Sequence, residues 1–549
     1  MEENEKKYPV SKHIFMFPFI IKNPDRYKKE FSKDKKWTPY NFSIKDELDY
    51  NEYNYFYPFV QKLLFPDTDA SNSILSKYHW KFQKGKFLIS ILEKKKDEES
   101  GQQVEIEKDF ILDFSTKGIE LIILEDFSIG ILIFYLDNHL EKSFDNVLKI
   151  NDYARRIYPQ FLPLIDGKFG GSQRAFLPVK ISINLDEKNI TTEDFSSYND
   201  LTGFRGIKYA SYIAFFLNGI EYNHVLDDRM FVLSYLKNNE EGEKILYSYP
   251  GYAKSLSEKN NKINTKAIDN WYKYCFVDGN SLTCQSDIMK QELLTKCTYD
   301  RWNKWGILWG ITRYSLVALF TESVPTFLLD HVSLQYKDLS LMWLINRAVL
   351  LKFAAESSDL AKLIKTDNGN RNQRKYVKKI TELRKNYITF VNDVWFTEVT
   401  PQEQGIEMYQ MGMKQMELEK QKNDLRKDIE ELFDYVEAEN EKSETRSMNR
   451  LYYLGALFLP ATLMAGLLGM NISYFCKSAI SNDKAWFLLL IPTIFLMSLT
   501  TLLIIKKSKW WKWLITPFIF IFLIFLIKFT PTFDVIKSFI TCILKFFGV

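Results

Sequence analysis

Two apolar runs near the C-terminal end constrain this chain of 549 residues more than any other feature. Leu451 to Ile472 holds 22 residues without a charge. At about 1.5 Å per residue, such a helix spans the roughly 30 Å hydrocarbon core of a bilayer. Ala485 to Ile505 holds 21 more, after a connector of twelve residues from Ser473 to Lys484. The pair reads as two transmembrane helices forming a hairpin. Arg446 and Arg450 precede the first run, while Lys506, Lys507, Lys509 and Lys512 follow the second, so the positive-inside rule puts both outer ends in the cytoplasm. A third run, Trp513 to Ile527, has 15 residues and leaves spanning and re-entrant or interfacial burial both open. Beyond it, Phe533 to Phe547 sets apolar and polar residues on opposite helix faces, as an amphipathic surface helix does.

Most of the chain precedes these runs. The opening MEENEKKYPVSKH has no signal-peptide core, which predicts a cytoplasmic N-terminal part in a multi-pass protein of a bacterial inner membrane. With 73 basic and 69 acidic residues, the near-balanced charge predicts no nucleic-acid polymer as a partner. Five cysteines (275, 284, 297, 476 and 542) form no CxxC pair, and five histidines (13, 79, 139, 224 and 331) show no zinc-ligand spacing. No nucleophile–base pair or phosphate-loop motif stands out, so an enzyme is not expected.

Residues 1–330 predict a cytosolic α/β or α+β sensor domain. Alternation from Val104 to Asn138, with turn signals at Lys117-Gly118 and Glu125-Asp126, predicts an antiparallel meander. A helix follows over about 141–158, then a strand over 178–185, with helical patterns near 207–220 and 226–237; Asp227-Asp228 would cap the last. Residues 335–400 predict an αα-hairpin, from Asp338 to about Lys365 and from Arg371 to about Phe396, around the turn signal Thr366-Asp367-Asn368-Gly369-Asn370. Thr400-Pro401-Gln402-Glu403 is a capping box with proline at the first helical position. A helix continuous from Pro401 to Ile472 would be about 108 Å long, with 401–450 as a stalk and 451–472 as the first membrane span. Leu425, Ile429, Leu432 and Val436 give the stalk a packing seam. Eight acidic residues between Asp428 and Glu444 face a basic hairpin turn (Lys362, Lys365, Arg371, Arg374, Lys375, Lys378, Lys379), an ion-pair pattern if the two meet.

The first apolar run closes on Gly469-Met470-Asn471. This signature, after a very long helix and before a short outer loop and a second span, resembles the CorA family of divalent-cation channels, as does Phe458-Leu459-Pro460-Ala461-Thr462-Leu463. The resemblance implies a homopentamer shaped as a funnel, with a pore lined by five copies of the first membrane helix and magnesium as the transported or regulatory ion. Met448, Leu451, Gly455, Leu459, Thr462 and Gly466 fall on one helix face leading to Asn471, a candidate pore lining; the same small residues also suit helix packing. Five Asn471 amides would ring the outer mouth with neutral dipoles that hold a hydrated dication through its waters. Met448 and Leu451 would form an apolar gate, and Lys506, Lys507 and Lys509 a basic ring after the second span. The connector departs from the acidic outer loop common in the family, carrying Asp483 against Lys477 and Lys484.

The phrases KHIFMFPFII, INDYARRIYPQ, LDDRMFVLSY and YDRWNKWGILWGITRYS are similar to the CorA-like membrane effectors associated with type III CRISPR systems. That resemblance implies gating by a nucleotide second messenger, in one branch a conjugate of S-adenosylmethionine with AMP. Arg155, Arg156, Arg174, Arg301, Trp302 and Arg313 supply guanidinium forks and an aromatic face suited to phosphate and adenine; each arginine equally suits a structural ion pair. Three functions stay open: a ligand-gated channel, a constitutive or magnesium-sensing transporter, and a non-conducting membrane receptor.

Overall fold

Strand β1 (Ser11–Ile21) is buried on both faces and sits at the centre of the fold, as its unbroken apolar run requires. The computed structural model describes residues 8–22, 36–65, 74–96, 103–158, 177–195, 209–237, 239–248, 265–279, 281–366 and 373–469. β1 belongs to one mixed sheet with β2 (Trp37–Pro39), β3 (Leu75–Trp80), β4 (Gly85–Lys96), β5 (Gln103–Leu124), β6 (Ile129–Asn138), β7 (Lys180–Leu185), β8 (Lys188–Asp194), β9 (Tyr222–His224), β10 (Phe231–Lys237), β11 (Thr298–Tyr299), β12 (Ile307–Ile311) and β13 (Ser315–Phe320). The main path runs β11-β12-β13-β10-β1-β6-β5-β4-β7-β8. Neighbours are antiparallel except β10 and β13, which are parallel. Pro18 is tolerated in β1 because β10 pairs with Ser11 to Met16 and β9 with Phe19 to Ile21, so Pro18 falls between the two partners on that side.

The helices among the described residues are α1 (Glu47–Asn54), α2 (Pro58–Leu64), α3 (Phe144–Ala154), α4 (Ser211–Phe216), α5 (Asn239–Ser248), α6 (Thr265–Phe276), α7 (Asp287–Cys297), α8 (Phe327–Ser333), α9 (Gln335–Thr366), α10 (Gln373–Asp393), α11 (Glu403–Gln415) and α12 (Leu418–Gly469). The chain divides into two compact units, one of residues 1–366 and 378–433, the other of 367–377 and 434–549. The sheet lies wholly in the first, where α9 packs on β1, β6 and α11. Trp343 of α9 donates from Nε1 to the Tyr409 carbonyl (3.1 Å). Its ring fills the space beside Gly412, where an added Cβ would come within 2.1 Å of the indole. Gly412→Ala is therefore expected to destabilise the first unit by about 1–3 kcal/mol, measured by thermal or urea unfolding.

Five expectations are corrected. Lys117-Gly118 is no turn: β5 continues through it with a register shift between Phe114 and Ile119, and Gly118 takes a φ of 61° against the Phe82 ring. The predicted helix over 226–237 is strand β10, because a short apolar run suits either form and insertion between β1 and β13 decides it. Asp227 and Asp228 consequently cap no helix and pair with Arg229 and Arg156. The helix expected to run unbroken from Pro401 stops at Met416 and restarts at Leu418, with Glu417 at a φ of 54°. The capping box does not form as drawn either: the Thr400 hydroxyl accepts from the Gln402 N–H (3.2 Å) and donates to the Tyr55 carbonyl. The hairpin helices and the Glu125-Asp126 turn match their expectations, and the strand expected over 178–185 runs over Lys180–Leu185; the turn signal after Thr366 lies outside the described residues.

Candidate functional site

Helix α12 carries the candidate pore stripe, and local bonding makes its apolar end self-sufficient. Thr462 donates its hydroxyl to the carbonyls of Phe458 (3.1 Å) and Leu459 (2.9 Å), so the one hydroxyl on the stripe needs no water. Among the described residues the stripe is bare: Met448, Leu451 and Leu459 are 52, 65 and 70% exposed, and nothing lies within 4 Å of a Cβ built on Gly455 or Gly466. Leucines that exposed require apolar cover. Among the described residues no helix is long and apolar enough to cross a membrane. The first run is helical as far as Gly469; Met470, Asn471, the second span, Lys506, Lys507, Lys509 and the amphipathic tail lie outside the described residues.

Lower on α12, the hairpin packs alongside. The Tyr387 hydroxyl donates to the Lys422 carbonyl (3.1 Å), Lys422 sits over Trp395, and Arg384 stacks on Phe433 at 4.3 Å. The charged residues of this stretch pair along their own helix, Arg426 with Glu430, Lys427 with Glu431 and Lys442 with Glu439. Such exposed local pairs contribute little each.

The candidate ligand-binding arginines fall in separate places. Arg155 and Arg156 follow α3 and are 2% exposed. Asp152, one turn earlier, meets Arg155 at 2.9 Å and Arg156 at 3.1 Å, while Arg156 reaches Asp228 at 2.7 Å. Arg155 also donates to the Val277 carbonyl (2.8 Å). Burial, with Arg156 and Arg229 nearby, outweighs Asp152 and lowers the Arg155 pKa to about 10. With Arg229 on Asp227 (2.7 Å), three arginines face three aspartates in a box whose charges cancel. Arg301 and Arg313 stand at opposite ends of β12, paired with Glu407 (2.5 Å) and Glu417 (3.0 Å); Trp302 packs edge-on to Tyr299. Arg174 lies outside the described residues.

Sequence reasoning missed what joins these places. Tyr314 lies between two guanidiniums, Arg229 at 5.5 Å and Arg347 at 5.0 Å, and Arg347 donates to the Arg313 carbonyl (2.8 Å). The spacing of Asp152 to Arg155 and Arg156 was a readable helical ion-pair signal; the Tyr314 stack joins residues too distant in sequence to leave one. His13 is a packing residue: burial, opposed by the Asn151 hydrogen bond, lowers its pKa to about 4 and keeps it neutral. Among the described residues no group of three or more His, Cys, Asp or Glu side chains could hold a metal ion.

Residues 344–507 match the family model described as CorA-like Mg2+ transporter protein. The chain carries a CorA-like domain. The match begins within α9, takes in the hairpin, α11 and α12, and spans Gly469, Met470, Asn471, Lys506 and Lys507, leaving Lys509 just beyond. The sheet lies outside it. No curated protein and no solved structure matches the chain.

Proposed function

We propose that the chain is the protomer of a homopentameric Mg2+ channel in a bacterial inner membrane. The observation that carries this reading is the CorA-like match over residues 344–507, which includes the Gly469-Met470-Asn471 signature and the whole exposed stripe from Met448 to Gly466. A single apolar helix encloses no pore, so conduction needs several copies around an axis. Asn471 then meets the ion: its amide oxygen binds the waters of a hard dication without stripping them. Asn471→Ala is expected to abolish Mg2+ flux into liposomes and leave a pentamer on mild detergent extraction. Unchanged flux would remove Asn471 from the ion path, and a monomer in the native protein would remove the channel.

The sheet domain is the sensor in this proposal, gated by a nucleotide second messenger of the S-adenosylmethionine–AMP type, with the channel acting as an antiviral type III CRISPR effector. Support comes from the N-terminal phrases and from Arg229 and Arg347 placed against the Tyr314 ring. One observation favours a second reading, a constitutive or magnesium-sensing transporter: Arg155, Arg156, Arg301 and Arg313 each already hold a carboxylate. Calorimetry with the nucleotide, followed by flux with and without it, separates the two. Binding without a change in flux would sink the gating, and flux that needs no nucleotide would favour the transporter.

A further inference from the structure

The break between α11 and α12 runs against its own sequence. No glycine or proline stands between Gly412 and Gly455, and Lys414, Gln415, Met416, Glu417, Leu418 and Glu419 all favour helix. Yet Glu417 takes a φ of 54°, a left-handed conformation that residues other than Gly, Asn and Asp seldom adopt. Contacts from elsewhere in the fold hold it there. Arg313 Nη2 meets Glu417 Oε1 at 3.0 Å, and Gln415 Nε2 donates to the Lys296 carbonyl at 2.6 Å. Gln421 Nε2 donates to the Met416 carbonyl (2.7 Å), which a continuous helix would give to the Lys420 N–H. Met416 and Leu418 on either side are fully buried.

We propose that Met416–Glu417 is a two-state hinge, broken while the Arg313–Glu417 pair holds and continuous when it releases. In the released state the Leu418, Glu419 and Lys420 amides bond the Lys414, Gln415 and Met416 carbonyls, and α11 and α12 become one helix. The clamp is in contact with the arginine–aspartate box. Arg347 holds the Arg313 carbonyl, and Tyr314 stacks between Arg347 and Arg229, whose partner is Asp227. A charge change at the box thus reaches Glu417 through touching side chains. The regulatory meaning rests on the channel reading, since turning α12 would move Met448 and Leu451; the hinge itself does not.

Spin labels on Glu403→Cys and Lys427→Cys measure the hinge in the full chain. Cys476 and Cys542 are changed to serine, and labelled chains are diluted into unlabelled ones; Cys275, Cys284 and Cys297 are buried. A continuous helix puts the two backbone positions about 36 Å apart, and a break shortens that distance. Arg313→Ala with Glu417→Ala should raise the ratio of long to short distances about fivefold over the native ratio. Glu417→Gly also loses the carboxylate but takes the left-handed conformation without strain, so its long component should be smaller than that of the double variant. An unchanged distribution in the double variant overturns the hinge, and so does a long component in Glu417→Gly as large as the double variant's. Mg2+ flux is measured on the same proteins: distances that shift in a protein with no conduction would sink the channel reading and leave the hinge standing.

Discussion

Lys337→Met is expected to lower the unfolding free energy of the first unit by about 3–5 kcal/mol, because it leaves uncompensated charge in the interior. The Lys337 side chain is 2% exposed; its ammonium lies 3.7 Å from Glu52 and contacts Asp338, which is fully buried. Around them are Lys117, 3.5 Å from Glu52, and Glu120, which has His79 at 3.6 Å and accepts the Tyr135 hydroxyl at 2.5 Å. Lys77 is buried nearby. Three lysines thus balance three carboxylates where α1, β3 and β5 meet α9, and removing one cation unbalances all of them. Replacing Lys337 and Asp338 together by methionine and leucine should recover much of the loss, since a pair that is absent costs less than a charge left alone. A double variant as unstable as the single one would show that packing, not charge, sets the effect.

The same cluster sets a pH dependence. Burial pushes the Glu120 pKa up, but the His79 hydrogen bond, Lys337 and Lys77 outweigh it and hold it well below the glutamate range. That stabilisation is present above the ordinary glutamate pKa and is lost as pH falls through the depressed value. Burial pushes Lys337 down, but Asp338, Glu52 and Glu120 hold it above the lysine range, so its contribution fades only on the alkaline side. Burial moves Glu52 up and Lys77 down, against stability at neutral pH, so Glu120 and Lys337 carry the net gain. Melting temperature should hold level near neutrality and fall in strong acid and strong base.

Local pattern made some of this molecule legible and left the rest hidden. The two helices α9 and α10 and the β5–β6 pairing with its Glu125-Asp126 turn were readable because each follows from periodicity and turn chemistry within a few tens of residues. Strand β10 was not, since its side chains fit a buried helix as well and only its neighbours β1 and β13 choose. The break at Glu417 was invisible for a related reason: the sequence favours helix, and Arg313, about a hundred residues earlier, holds the exception. At the candidate sites, the Gly469-Met470-Asn471 signature was readable as a motif. Four of the candidate arginines prove to be held by carboxylates, and nothing in their own surroundings in the sequence named Glu407 or Glu417 as partners.

In the proposed channel, Leu451→Ser is expected to give Mg2+ flux without ligand, about tenfold or more above the native basal rate. Leu451 is the first residue of the charge-free run, is 65% exposed in a single chain, and lies one turn from the half-exposed Met448. Several copies of such a pair around an axis would exclude water from a narrow passage, and an ion that keeps its hydration shell cannot cross a dry constriction. Serine shortens the side chain and adds a hydroxyl that holds water in place. Closure by dewetting then fails, while the helix retains its backbone bonding because a serine hydroxyl can bond back to a carbonyl one turn earlier. Leu451→Ile, of equal volume and no polarity, should stay closed, which separates wetting from loss of packing. Adding Asn471→Ala to Leu451→Ser should return flux to background, since the open gate still leads to a mouth without its amides. If Leu451→Ser assembles as the native protein does and stays silent in liposomes, the closure lies elsewhere on the stripe; if it conducts equally well with Asn471→Ala, the ions bypass the outer mouth and the path is not along α12.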